Sequence, residues 1–101
     1  LDGPGALHHL PSLLNISALD AIQWTPGAGN PGLDDPGWLP LYRKVLAAGK
    51  NLVLLGVPFG SVNALLEKVG PHGVLITAAA PSVREGIVLA RRWKKRPGYD
   101  L

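Results

Sequence analysis

Apolar positions along this chain follow two rhythms that alternate. Compact apolar runs occur at residues 19–24, at Asn51–Leu55 and at Val74–Thr77. Each is bounded by glycine, proline or polar residues and predicts a strand. The unbroken run Leu52-Val53-Leu54-Leu55 is what a strand buried on both faces requires. Between the runs, apolar residues recur every three or four positions, which predicts helices. Leu7, Leu10, Leu13 and Leu14 place one helix over residues 4–15, with a kink or restart at Pro11. Trp38, Tyr42, Val45 and Leu46 line one face of a second, over residues 38–48. Val62, Leu65, Leu66 and Val69 mark a third; Ile87, Ala90 and Trp93 form the expected inward stripe of a fourth.

The punctuation agrees. Asp34 and Asp35 offer N-caps, with Pro36 and Pro40 tolerable only near the first turn of the second helix, and Gly49 ends it. Ser61 caps the third helix and Gly70-Pro71 stops it. Ser82 and Glu85 form a capping-box pattern ahead of the fourth, which Pro97-Gly98 stops. The opening Leu1-Asp2-Gly3-Pro4 reads as the tail of a strand turning into a loop. The order is therefore four strand–helix units, and strict alternation with buried strands means right-handed βαβ crossovers and a parallel sheet. At roughly 25 to 30 residues per unit, the pattern predicts an α/β chain of parallel βα repeats, about half of a TIM-like (β/α)8 barrel. Residues 1–101 are expected to form one partial-barrel domain, part of a longer chain. Half a barrel leaves two strand edges and its inner sheet face uncovered. The expected partner is the rest of the barrel or a second copy of the chain.

Composition narrows the class. The 101 residues are 47% hydrophobic and 17% charged, which excludes a disordered chain. Cysteine is absent, which excludes disulfides and thiolate metal sites and suits a cytoplasmic protein. No apolar run reaches membrane-spanning length, so no membrane partner is expected. Half of the ten basic residues are Arg91, Arg92, Lys94, Lys95 and Arg96, at the end of the last helix, where cations complement the helix dipole. A nucleic-acid footprint would be spread over a face, so none is expected here.

Two stretches carry a resemblance. Leu1-Asp2-Gly3-Pro4-Gly5-Ala6-Leu7-His8-His9-Leu10 and Leu19-Asp20-Ala21-Ile22-Gln23-Trp24-Thr25-Pro26-Gly27-Ala28-Gly29 resemble the C-terminal half of uroporphyrinogen decarboxylase-like proteins, a superfamily that also holds cobamide-dependent methyltransferases. The likeness continues through Ala48-Gly49-Lys50 and Gly70-Pro71-His72-Gly73. It implies a TIM-like barrel, and decarboxylation or one-carbon transfer on a small or tetrapyrrole-type substrate. The chain departs from the proteins it resembles at two places. Decarboxylases keep Gly-His-Gly after the last strand where Ala78-Ala79-Ala80 stands, and zinc methyltransferases keep His-x-Cys-Gly where Leu1-Asp2-Gly3 stands. No cofactor or metal is therefore evident.

The candidate site lies at the carboxyl ends of the strands, where parallel α/β proteins bind ligands. Asp2 is the catalytic candidate, either holding a substrate amine or hydroxyl and acting as a base, or serving as an N-cap. Gln23 and Trp24 are adjacent in a strand, so one faces the interior and the other the helices. Gly27, Gly29 and Asn30 form the loop that follows, as a ligand-facing segment or as plain turn chemistry. The Gly27-x-Gly29-x-x-Gly32 spacing matches a dinucleotide fingerprint in letters only. Pro31 removes an amide, Asp34 and Asp35 oppose a phosphate, and no acidic residue follows at the ribose distance. His8 and His9 are adjacent, which is not the spacing of a metal pair. The alternative to an enzyme is a non-catalytic half-barrel that assembles through its sheet edges.

Overall fold

Three strands lie side by side in chain order, all parallel: β1 (Ala21–Gln23), β2 (Asn51–Leu55) and β3 (Val74–Thr77). Ile22 is in register with Leu52, and Leu52 with Val74. The computed structural model describes residues 1–94, and the Pro97-Gly98 stop and the Lys95 and Arg96 end of the basic cluster fall outside them. Residues 1–3 add a fourth parallel segment beside β1. Asp2 bridges Thr25, the Thr25 amide donates to the Leu1 carbonyl (3.0 Å), and the Gly3 amide donates to Thr25 (2.7 Å). The chain is thus an α/β protein of parallel βα repeats.

Four α-helices connect and follow these strands: α1 (Leu10–Leu14), α2 (Leu39–Ala47), α3 (Val62–Val69) and α4 (Val83–Lys94). The restart expected at Pro11 is present. A 3₁₀ segment over Pro4–His9 gives way to α1, with the proline in its first turn, where a missing N–H costs nothing. Gly49 and Gly70, with φ of 79° and 83°, close α2 and α3 in a conformation that a side chain would strain.

The core lies on one side of the sheet. Ile22, Trp24, Leu52 and Leu54 face the helices and are at most 4% exposed. Tyr42 and Val45 of α2 and Val62, Leu65 and Leu66 of α3 pack against them. Each such apolar side chain contributes about 1.5–3 kcal/mol by leaving water. The other side of the sheet is open. Leu55 is 46% and Leu75 55% exposed, so β2 is covered on one face rather than the two its sequence predicts. A continuous apolar run states that both faces dislike water but does not supply the second layer.

Local corrections follow from backbone geometry. Ser61 does not cap α3, because it already has helical φ and ψ (−99°, −9°) at the end of a 3₁₀ turn, Phe59–Ser61, and an N-cap needs an extended backbone. Its hydroxyl donates to Asp34 Oδ2 instead, at 2.7 Å. Of the two aspartates offered as caps, only Asp35 acts as one, accepting from the Gly37 amide at 2.8 Å. Ser82 does cap α4: Oγ accepts from the Glu85 amide (3.2 Å) and donates to the Glu85 carboxylate (3.1 Å). The expected inward stripe of α4 is rotated. Gly86, Leu89 and Trp93 face the core, while Ile87 is 45% exposed. A Cβ on Gly86 would stand 3.2 Å from Ala80 Cβ, so the glycine lets this side of the helix lie close to the β3–α4 loop. Trp93 is then held by its indole N–H, which donates to Asn63 Oδ1 at 2.8 Å.

Candidate functional site

Side chains alternate along β1, and that alternation sorts the strand's candidates. Ile22 and Trp24 turn to the helices, leaving Gln23 and Thr25 exposed on the open face. Asp2, bridged to Thr25 in parallel, shares that face. Asp2 and Thr25 therefore form the outermost row at the carboxyl edge, with Gln23 two residues lower on β1, about 6.6 Å along the strand. In register across the sheet, Gln23 is followed by Val53 and Leu75.

Trp24 belongs elsewhere. It is 1% exposed, packed edge-on to Trp38 with ring centroids 5.0 Å apart. As a substrate-contacting residue it is withdrawn, because it lies behind the sheet and not on the open face. Its indole N–H is buried without a hydrogen-bond partner.

Asp2 is exposed, and its carboxylate makes no hydrogen bond or ion pair among the described residues. The N-cap reading does not hold. Gly3 precedes the 3₁₀ segment, and no side chain caps it. The carboxylate instead sits beside the glycine loop: a Cβ on Gly27 would lie 4.0 Å from Asp2 Oδ1 and 3.9 Å from Gly3 Cα. With φ of 87°, Gly27 both makes the turn and leaves this space open.

The loop itself is pinned. The Asn30 amide group donates to the Pro26 carbonyl (2.9 Å), and the Asn30 backbone N–H closes a turn onto Gly27 (3.4 Å). Further along, Trp38 Nε1 donates to Pro31 (3.1 Å) and the Tyr42 hydroxyl to Leu33 (2.6 Å). Asn30 thus serves the turn with its side-chain amide N–H and its backbone N–H. Gly29, also at positive φ, is exposed, with nothing within 4 Å of where a Cβ would stand. Burial drives the Tyr42 phenol's pKa well above its ordinary value, and the nearby Asp34 and Asp35 charges add to the effect. Tyr42 is therefore a fixed donor rather than an acid.

Asp2, Gln23, Gly27, Gly29 and Asn30 are brought to one edge of the sheet, and Trp24 is not. Sequence reasoning overlooked Thr25 and Thr77, the latter accepting from the Gly56 amide at 2.8 Å. Strict alternation from Gln23 identifies Thr25, whereas Thr77 needed the register. His8 and His9 are exposed with ring centroids 3.8 Å apart. Among the described residues no three His, Asp or Glu side chains are grouped to hold a metal ion, and no helix is long and apolar enough to cross a membrane.

The architecture and the edge site define a parallel βα-repeat protein with a polar cluster at its strand ends. Compared with known proteins, the chain matches no family model, no curated protein and no solved structure.

Proposed function

We propose that this chain is about half of a (β/α)8 barrel of the uroporphyrinogen decarboxylase-like kind, contributing one side of a site for decarboxylation or methyl transfer. The observation that carries the reading is the placing of Asp2 and Gln23 on the same open sheet face near its carboxyl edge, with Asp2 beside the Gly27–Asn30 turn. The motif resemblance and the position of catalytic groups in parallel barrels both support it. In this reading the Asp2 carboxylate holds a substrate N–H or O–H and can take a proton from it. The Gln23 amide orients a carboxylate by donating to it. The open face, apolar at Val53, Leu55 and Leu75, becomes the interior of the completed barrel.

The test uses the barrel completed with its flanking coding sequence. Release of carbon dioxide from carboxylated substrates, tetrapyrrole carboxylates included, and methyl transfer from methylated ones are measured. Asp2→Asn lowers kcat about 100-fold or more at unchanged Tm, and Gln23→Ala raises KM. Failure of the completed protein to turn over either class, or full activity in Asp2→Asn, defeats the proposal.

A second reading has its own support, the 46% and 55% exposure of Leu55 and Leu75. It is a non-catalytic module that assembles through the open face and edges. An inactive but stably closed assembly is its signature.

A further inference from the structure

The outer row of the open sheet face carries two threonines whose hydroxyls are used differently. Continuing the register two residues past Gln23 and Val53 sets Thr25 level with Leu55, and Leu55 is in register with Thr77. The row therefore reads Asp2, Thr25, Leu55, Thr77, with neighbouring strands about 4.8 Å apart. Thr77 Oγ1 accepts from the Gly56 amide at 2.8 Å, and the Thr77 carbonyl accepts from the Gly56 and Val57 amides. That side chain is committed to the turn after β2. Thr25 engages its backbone in the same way, with Leu1 and Gly3, but its hydroxyl makes no hydrogen bond among the described residues. Asp2 stands one strand away on the same face, its carboxylate equally unengaged.

On an open face, water satisfies both groups. In the proposed barrel the same face becomes interior, where a hydroxyl and a carboxylate each need a partner. The spacing of adjacent strands lets one small polar group lie within hydrogen-bond reach of both.

We infer that Thr25 is a substrate-contacting residue, its hydroxyl donating to the same substrate atom whose proton Asp2 accepts. The inference rests on the barrel reading above and names the group that site takes. Such an atom carries both a proton and a lone pair, which describes a hydroxyl or a neutral amine. An ammonium offers Thr25 no lone pair, and a carboxylate is repelled by Asp2. When Asp2 takes the proton, the bonding electrons stay on the substrate atom, and the Thr25 hydroxyl stabilises the charge that develops there.

The test uses the barrel completed with its flanking coding sequence and the substrate it turns over best in the assay above. Thr25→Val lowers kcat/KM about tenfold at unchanged Tm, and Thr25→Ser, which keeps the hydroxyl, restores it. The acid limb of the pH profile keeps its midpoint, because Thr25 acts on the substrate and not through Asp2. Thr77→Val gives the opposite pattern, a lower Tm with kcat/KM of the folded protein retained. Para-hydroxybenzoate and its methyl ether, para-methoxybenzoate, probe the group as inhibitors. The hydroxylated compound inhibits the parent more strongly, and Asp2→Asn abolishes the preference. Parent-like kcat/KM in Thr25→Val, a shifted acid limb, or equal inhibition by the two probes overturns the inference and leaves the barrel reading standing. A completed barrel that turns over neither substrate class defeats both.

Discussion

At the scale of single residues, much of this molecule is held by side chains that reach across to backbone carbonyls. Tyr42 is the clearest case, fully buried with its hydroxyl on the Leu33 carbonyl. Tyr42→Phe leaves that carbonyl unpaired and costs about 1–3 kcal/mol in urea unfolding. The raised pKa also sets a pH dependence. Above about pH 10 an unfolded tyrosine ionises, whereas folded Tyr42 keeps its proton. The unfolded state then binds fewer protons, so stability falls as pH rises beyond that point. Unfolding midpoints measured from about pH 8 to pH 11 decline less steeply in Tyr42→Phe than in the parent. Lys50 is a second tie: only 9% exposed, it donates from Nζ to Ile16 at 2.7 Å and anchors the loop between α1 and β1. Lys50→Met keeps the apolar stem and loses the bond, at about 1–2 kcal/mol. Lys50→Ala loses the stem as well and is less stable than Lys50→Met by thermal melting. Neither tie is legible in sequence, since each joins a side chain to a carbonyl whose place is fixed only by the fold.

At the scale of elements, the strands and helices expected from hydrophobic rhythm are found, with β2 and β3 at the expected bounds. What failed was the finer choice of caps and faces. Ser61 and Ser82 both precede an apolar helical stripe, yet only Ser82, with Glu85 three residues on, caps. Ser82→Ala is expected to cost about 0.5–2 kcal/mol, whereas Ser61→Ala loses a bond between two loops. Because it removes no helix cap, Ser61→Ala costs less than Ser82→Ala in the same denaturation assay. Helix α4 shows the same limit. Its hydrophobic residues admit two stripes, through Ile87 or through Leu89, and both include an apolar neighbour. Close approach at Gly86 and the Trp93–Asn63 bond choose the second.

For the whole molecule, the consequential fact is the one-sided sheet. Leu55 and Leu75 stand on a face with no covering layer, beside the polar edge formed by Asp2, Thr25 and Gln23. Parallel sheets are normally covered on both faces, and in the proposed reading this face is where the missing layer packs. In sedimentation, the unmodified chain associates at micromolar concentration. Leu55→Glu with Leu75→Glu shifts it toward monomer while leaving far-ultraviolet circular dichroism unchanged, because neither residue belongs to the buried cluster. A monomeric parent chain would count against the need for a second layer.

The sequence alone determined the parallel βα order, because strand and helix periods differ and glycine and proline mark the ends. It also argued against a dinucleotide loop at Gly27-x-Gly29-x-x-Gly32, since Pro31, Asp34 and Asp35 are local chemistry. It brought Asp2, Gln23 and the glycine turn under suspicion through their position at strand ends. Only the tertiary structure decided that Asp2 shares a face with Gln23, that Trp24 turns away into the core, and that the loop is pinned by Asn30, Trp38 and Tyr42. Those outcomes depend on register and on contacts between residues far apart in the chain. A one-residue change of register reverses which side chains face out, and nothing in the local pattern reports it.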